Sequence, residues 1–351
     1  MAHESAGGVT VQEPPTPPGA PARPARRGFG LDRYGTLLFF LLFYVVISAT
    51  QGTAFLSWSN ISLTLGQNAH LAFLAAAVTV TLIAGQFDLS VGYLCGMSAV
   101  LMAHLTSVRG LGTLEAALIV LVVGVVAGLI NGTLVTRFKV NAFIATLGTG
   151  GAYGGISLWI SGGQTIFGNM PALLTQAGTA KFATIPLPVF YAIVLVVVMW
   201  AVTRQTSAGR FWYAVGANPE SARLAGVRTD RMTMWAFVTT SVLASTGGMI
   251  FVARYGSADP STGPDLLLPA FAAAFLGSSI LSDGRFTMIG SILATFLIVL
   301  ATNGLDVAGV NFAVKPVFNG LVLVAAVALT EYLRRRRPRR RPAVAAARDA
   351  R

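Results

Sequence analysis

Residues 113–135 read TLEAALIVLVVGVVAGLINGTLV, with Glu115 near the leading edge as the single charge. At 1.5 Å per residue, a helix of this length crosses the roughly 30 Å hydrocarbon core of a bilayer. The run shows no polar alternation and is about twice as long as a barrel strand requires, so a strand reading fails. Comparable runs recur on both sides, at 35–52, 64–84, 89–107, 142–160, 187–203, 233–253, 266–281, 286–303 and 314–333. The expected fold is all-α: a polytopic membrane helical bundle of about ten transmembrane helices.

Composition agrees. Of 351 residues, 54% are hydrophobic and 11% charged, whereas a soluble domain is about 25% charged. Too few charges are present to cover a water-soluble particle, which excludes a cytosolic enzyme, a disordered regulator and a disulfide-built secreted domain. Cys95 stands alone, so no intrachain bridge or cysteine metal cluster forms. The net charge of +12 points to membrane lipid rather than nucleic acid, because the cations gather at the chain ends and between apolar runs. With alternating spans and a cytoplasmic N-terminus, and the two arms set aside, eight Lys and Arg fall inside and four outside. An even number of spans with N- and C-termini cytoplasmic satisfies that bias.

The expected domains are a disordered cytoplasmic arm (1–33, rich in Pro, Ala and Gly), a transmembrane domain (34–333) and an Arg-rich cytoplasmic tail (334–351). The first apolar run reads as an uncleaved helix rather than the core of a secretory signal. Two connections exceed simple turns: an outer one at 161–186, expected to hold a short helix, and an inner one at 204–232. A faint parallel repeat relates LAFLAAAVTVTLIAGQFDLSVG (71–92) to LPAFAAAFLGSSILSDGRFTMIG (268–290).

No Gly-Lys pair occurs, so the chain has no phosphate-cradling Walker loop. His3, His70 and His104 lack acidic or cysteine neighbours, and no catalytic triad or zinc-protease pattern appears. The chain therefore reads as a non-enzyme that binds no cofactor or metal itself. None of the thirteen acidic residues falls at mid-span; Asp88, Glu115, Asp265 and Glu331 sit at span ends. A proton-driven carrier needs an intramembrane ionisable group, so transport is passive or takes its energy elsewhere.

Asp88 follows Gly85-Gln86-Phe87 at an inner turn. It reads as a helix N-cap or, with Gln86, as an inner gate. Pro264 and Asp265 read as the start of a span. The inner connection carries Asn218-Pro219-Glu220-Ser221-Ala222-Arg223-Leu224-Ala225-Gly226. Asn can cap, Pro suits the first helical position, Glu the first turn, and Gly the left-handed stop. A helix of two turns is unstable alone in water, so it needs a partner surface: its own bundle, or another protein approaching small Ala222 and Ala225 with Leu224 as an apolar knob.

The segment TSAGRFWYAVGANPESARLAGVRTDRM (206–232) resembles the cytoplasmic loop of ABC importer permeases of the ribose/xylose/galactose type, within the branched-chain amino acid/sugar permease superfamily. GQFDLSVG (85–92), GLINGTLVTRFKVNAFIATLGT (128–149), SGGQTI (161–166), ARYGSADPSTG (253–263) and ATNGLDVAGV (301–310) resemble the same family in the same order. The likeness extends from about Asn60 to Thr330. It implies a permease subunit in a bacterial plasma (inner) membrane, paired with a second copy or homologue. Two cytoplasmic ABC ATPases would hold ATP and Mg, and an extracytoplasmic solute-binding protein would deliver a monosaccharide. By the same resemblance Asn218, Pro219, Glu220, Ala222, Leu224 and Gly226 form the ATPase-coupling helix. Two inner turns depart from the family: Gln86-Phe87 replaces Gly-Ile, and Asp283-Gly284-Arg285-Phe286 replaces Gly-Gly-Arg-Gly.

Amides both donate and accept hydrogen bonds and so suit hydroxyl-rich solutes. Asn68, Gln86, Asn131, Asn141, Gln164 and Asn303 are the candidate path residues, with Phe143 and Tyr93 narrowing the path; the alternative is helix–helix glue. Other readings are the same machinery carrying nucleosides, a furanosyl signalling molecule or branched-chain amino acids. From a different class come a passive channel or secondary carrier and a non-transporting membrane scaffold.

Overall fold

The computed structural model describes residues 31–281 and 284–335. The arm to residue 30, residues 282–283 with the Asp283 departure, and the tail from residue 336 lie outside the described residues. By contacts the chain divides at Leu31, and the architecture below is that of the unit Asp32–Arg351.

Helix follows helix with short connections. The order is α1 (Leu31–Gln51), α2 (Thr53–Leu56), α3 (Trp58–Gln67), α4 (Ala69–Ile83), α5 (Val91–Ala103, extended by a π-turn over His104–Val108), α6 (Thr113–Thr136), α7 (Ala142–Ser161) and α8 (Ala172–Thr179). Then come α9 (Leu187–Gln205), α10 (Ser207–Ala217), α11 (Pro219–Leu224), α12 (Thr229–Tyr255), α13 (Thr262–Asp265), α14 (Leu267–Leu281), α15 (Met288–Val307) and α16 (Val314–Arg335). Two antiparallel ribbons pair β1 (Ile166–Phe167) with β4 (Ser257–Ala258), and β2 (Lys181–Phe182) with β3 (Ile185–Pro186).

Among the described residues, seven helices are long and apolar enough to cross a membrane, or eight if α3 and α4 form one broken span. The run expected at 64–84 is thus divided: α3 and α4 meet at Asn68 with a 50° bend. Helix α7 is not among the seven, because five glycines dilute its apolar content. The expected start of a span at Pro264-Asp265 falls in the first turn of a candidate span that opens at Thr262 and runs to Ile280, with α13 leading into α14 at Leu267.

Every residue of α4 is buried. An all-round apolar helix belongs inside a bundle, and α4 packs there against α9, α12, α14 and α15. Helix α12 also packs along α6, where Gly124, Gly128 and Gly132 recur every four residues. A Cβ on Gly128 would lie 2.5 Å from the Val238 Cα, so only glycine permits this approach. The opposite side of α6 exposes Leu114, Leu118, Val122 and Leu129, as a lipid-facing surface does.

The connections sort into two ends by their contacts. At one end Gly85 lies on Gly216, Lys139 pairs with Asp230 at 3.0 Å, and Tyr213 bonds to Phe286. At the other, β1 pairs with β4, the Ser107 hydroxyl donates to the Gly168 carbonyl, and Trp58 donates to Thr184. The 204–232 connection belongs to the first end and the 161–186 connection to the second.

Substituting Gly128→Val should destabilise the protein by about 3 kcal/mol through overpacking. Lipid-facing Val122→Ala should change stability far less. Thermal unfolding of both variants in the same detergent measures the contrast.

Candidate functional site

The longest connection at the first end folds into two helices in sequence. Thr206 caps α10 by accepting the Gly209 N–H at 3.3 Å. A side chain on Gly209 would collide with the Thr203 backbone, so glycine lets the chain fold back on α9. Trp212 and Val215 are buried; the Trp212 indole donates to the Met232 carbonyl at 2.9 Å, and the Tyr213 hydroxyl to that of Phe286 at 2.8 Å. The sequence alone did not reveal α10, whose signal is Thr206 as a cap followed by apolar Phe211, Trp212 and Val215 at helical spacing.

Helix α11 follows the expected chemistry at both ends. The Asn218 side chain accepts the Ser221 N–H at 3.0 Å, and Pro219 holds the first position. Gly226 takes φ +85°, with the Gly226 N–H bonded to Arg223 O and the Val227 N–H to Ala222 O, a left-handed stop that satisfies the last carbonyls. Glu220 and Arg223 pair at 2.8 Å while largely exposed, so the pair adds little stability. Leu224 is 81% exposed, but Ala222 is only 5% exposed. Ala222 therefore packs on its own chain, while Ala225 stays exposed beside Glu220, Arg223 and Leu224 on the outward face.

Beneath this module lies the 84–90 turn. Asp88 is 1% exposed, buried rather than poised at an open mouth. Ser90, not Asp88, occupies the cap position of α5, and the Ser90 N–H and hydroxyl donate to Asp88 Oδ1 at 2.9 and 2.6 Å. The Asn131 amide donates to the Ser90 hydroxyl at 2.9 Å, and Thr149 donates to Asn131 Oδ1 at 2.7 Å. One chain of hydrogen bonds thus joins the turn to α6 and α7. Burial pushes the Asp88 carboxyl up to about 6, against the opposing pull of the Ser90 hydrogen bonds.

The six amides do not converge on one path. Asn68 donates to Thr64 O at the α3–α4 bend, and Gln86 is half-buried in the 84–90 turn. Both ends of the Asn131 amide bond to other side chains, and Asn303 exchanges hydrogen bonds with Asn60 of α3; these two join helices. Asn141 caps α7 by accepting the Phe143 N–H at 2.9 Å. Gln164 is exposed at the opposite end, while Phe143 is exposed on α7 and Tyr93 packs against Gly150 and Gly154.

At that opposite end Thr165 donates to Asp259 Oδ2 at 2.6 Å, and Ser261 donates through its N–H and hydroxyl to Oδ1. These bonds hold the Asp259 carboxyl below the usual carboxylate range. Phe167, Phe182 and Trp159 stand exposed nearby in the chain.

Residues 60–327 match the profile of the family described as branched-chain amino acid transport system / permease component. The chain belongs to that family: it is a multi-pass helical membrane permease. It is 34% identical over 267 residues, 76% of each chain, to the autoinducer 2 import system permease protein LsrC of Yersinia pseudotuberculosis serotype O:1b (strain IP 31758). It shares the same identity and coverage with the proteins of that name from Yersinia pestis strains Pestoides F and Angola. No solved structure matches the chain.

A carboxyl whose folded pKa is raised favours folding while protonated, so its stabilisation declines as pH climbs from the unfolded value through the folded one. The difference in thermal stability between the wild-type chain and Asp88→Asn should therefore shift against the wild type between about pH 4 and pH 6 and level off above. Parallel melts at each pH read it directly.

Proposed function

We propose that this chain is the membrane-spanning subunit of an ATP-driven ABC importer in a bacterial inner membrane, working by alternating access. Helix α11 is the docking point for a cytoplasmic ATPase subunit, which binds ATP and Mg and hydrolyses the nucleotide. In this reading α1 and α7 complete ten spans, both termini are cytoplasmic, and the bundle pairs with a second copy or a homologue. An extracytoplasmic solute-binding protein docks at the opposite end, where 161–186 lies. The observation that carries the reading is Leu224, 81% exposed on a helix capped at both ends, in a chain from a transport-permease family.

The proposed cargo is a monosaccharide or a closely similar polyhydroxylated solute. Among the other cargoes, a furanosyl signalling molecule has specific support, from relatives named for autoinducer 2 import. A passive channel would need neither a docking helix nor an ATPase.

Leu224→Asp should lower co-purification of the ATPase subunits at least about tenfold, the effect of losing roughly 1.4 kcal/mol at an interface. The membrane domain itself should fold as before, because this side chain lies in solvent. Undiminished association would remove α11 as the docking point.

A further inference from the structure

Helix α10 touches three parts of the bundle at once. Gly216 lies backbone to backbone on the end of α4: a Cβ there would collide with the Ile83 carbonyl oxygen and come 2.9 Å from the Gly85 nitrogen. Reciprocally, a Cβ on Gly85 would come 3.0 Å from the Gly216 Cα. One turn earlier, Tyr213 bonds the α14–α15 connection through the Phe286 carbonyl, and Trp212 bonds the start of α12 through the Met232 carbonyl. Ala217 ends α10 and the next residue, Asn218, caps α11, so the two helices meet without an intervening loop.

The turns that α10 touches are alike. Helices α4 and α14 each contain 15 residues, and the turns after them carry Gly85 at φ +76° and Gly284 at φ +81°. The stretches 71–92 and 268–290, which resemble one another in sequence, are thus two of the three parts that α10 holds.

We propose that α10 is the lever through which α11 moves the bundle, and that Gly216 is the positioning residue at its contact with the 84–90 turn. The proposal rests on the reading of α11 as the ATPase-docking helix. Backbone pressed on backbone has no rotamers in which a displacement can be lost, so Gly216 passes a push directly to Gly85. The Tyr213 and Trp212 hydrogen bonds carry the opposite movement. From Gly85 the displacement reaches Ser90, Asn131 and Thr149, and so α5, α6 and α7.

The test uses the full chain with its ATPase subunits in lipid nanodiscs, with buried Cys95 replaced by Ala and Gln86→Cys as reporter. The rate of maleimide labelling at residue 86 is compared before and after trapping with ATP, Mg and vanadate. Trapping should change the rate at least about fivefold with the native lever and less than about twofold in Gly216→Ala, a loss of the size that single residues impose on coupling. ATPase association and basal hydrolysis should persist in that variant, which a merely structural defect would not allow. Tyr213→Phe, which keeps the ring and removes one hydrogen bond, should roughly halve the response, and it decides the matter if Gly216→Ala does not assemble. A full response in the variants that assemble, or no response with the native lever, overturns the proposal. A wild-type chain that captures no ATPase instead refutes the docking reading beneath it.

Discussion

Helices in a bilayer gain little by hiding apolar faces from one another, because lipid tails are as apolar as leucine. What holds them is close approach, where dispersion between many atom pairs accumulates. The rest of this structure depends on that constraint. Gly124, Gly128 and Gly132 admit the α12 backbone, Gly248 of α12 lies on Cys95 and Ala99 of α5, and Gly277 meets Gly290 across α14 and α15. Alanines 72, 75, 76 and 77 let α4 pass through the centre wholly buried. Large apolar side chains are sent outward instead: Leu118, Val122 and Leu129 on α6, and Val194 and Val197 on α9.

Polar groups obey the same economy of space. Thr136, Thr203 and Thr295 donate back to carbonyls of their own helices, which satisfies a hydroxyl without a second helix. Where a hydroxyl does reach across, as from Ser98 to Ser245 or from Thr79 to Ser291, it joins two helices already brought close by small residues. Asn131 and Asn303 extend the pattern with amides. Each gives one N–H and one oxygen lone pair to bonds that join helices.

The membrane class was legible because a bilayer imposes a length and a composition on every span, and residues 113–135 satisfy both without tertiary information. The caps of α11 were equally legible, since Asn218, Pro219 and Gly226 act on backbone groups within a few residues of themselves. Legibility ended where the outcome depended on distant partners. Nothing local in GQFDLS announces that α10 meets this turn at Gly85 or that Asp88 is buried, and the division falls at the polar pair Gln67-Asn68 inside a run that reads as one span. The α6 glycines could have been found from their four-residue spacing, a signal easily lost in a chain of 38 glycines. The six candidate amides were chosen by residue type, and residue type does not distinguish a group facing a path from one already bonded to a neighbouring helix.

Helix α11 differs in kind from everything it is attached to. Six residues are too few to offset the nucleation of a helix in water, and Ala222 is its one buried residue. Its order is local: an Asn cap contributes about 1 kcal/mol, and Glu220 and Arg223 suit the two ends of the helix dipole. Leu224 meanwhile leaves unrealised the roughly 1.5–3 kcal/mol that burying a leucine provides. The caps keep the helix rigid before any partner arrives, while its main apolar side chain stays available for contact. A surface patch that only bound a partner would not need that rigidity. A short helix joined directly to α10 does, because any bending between the docking surface and the bundle would absorb the movement it has to transmit.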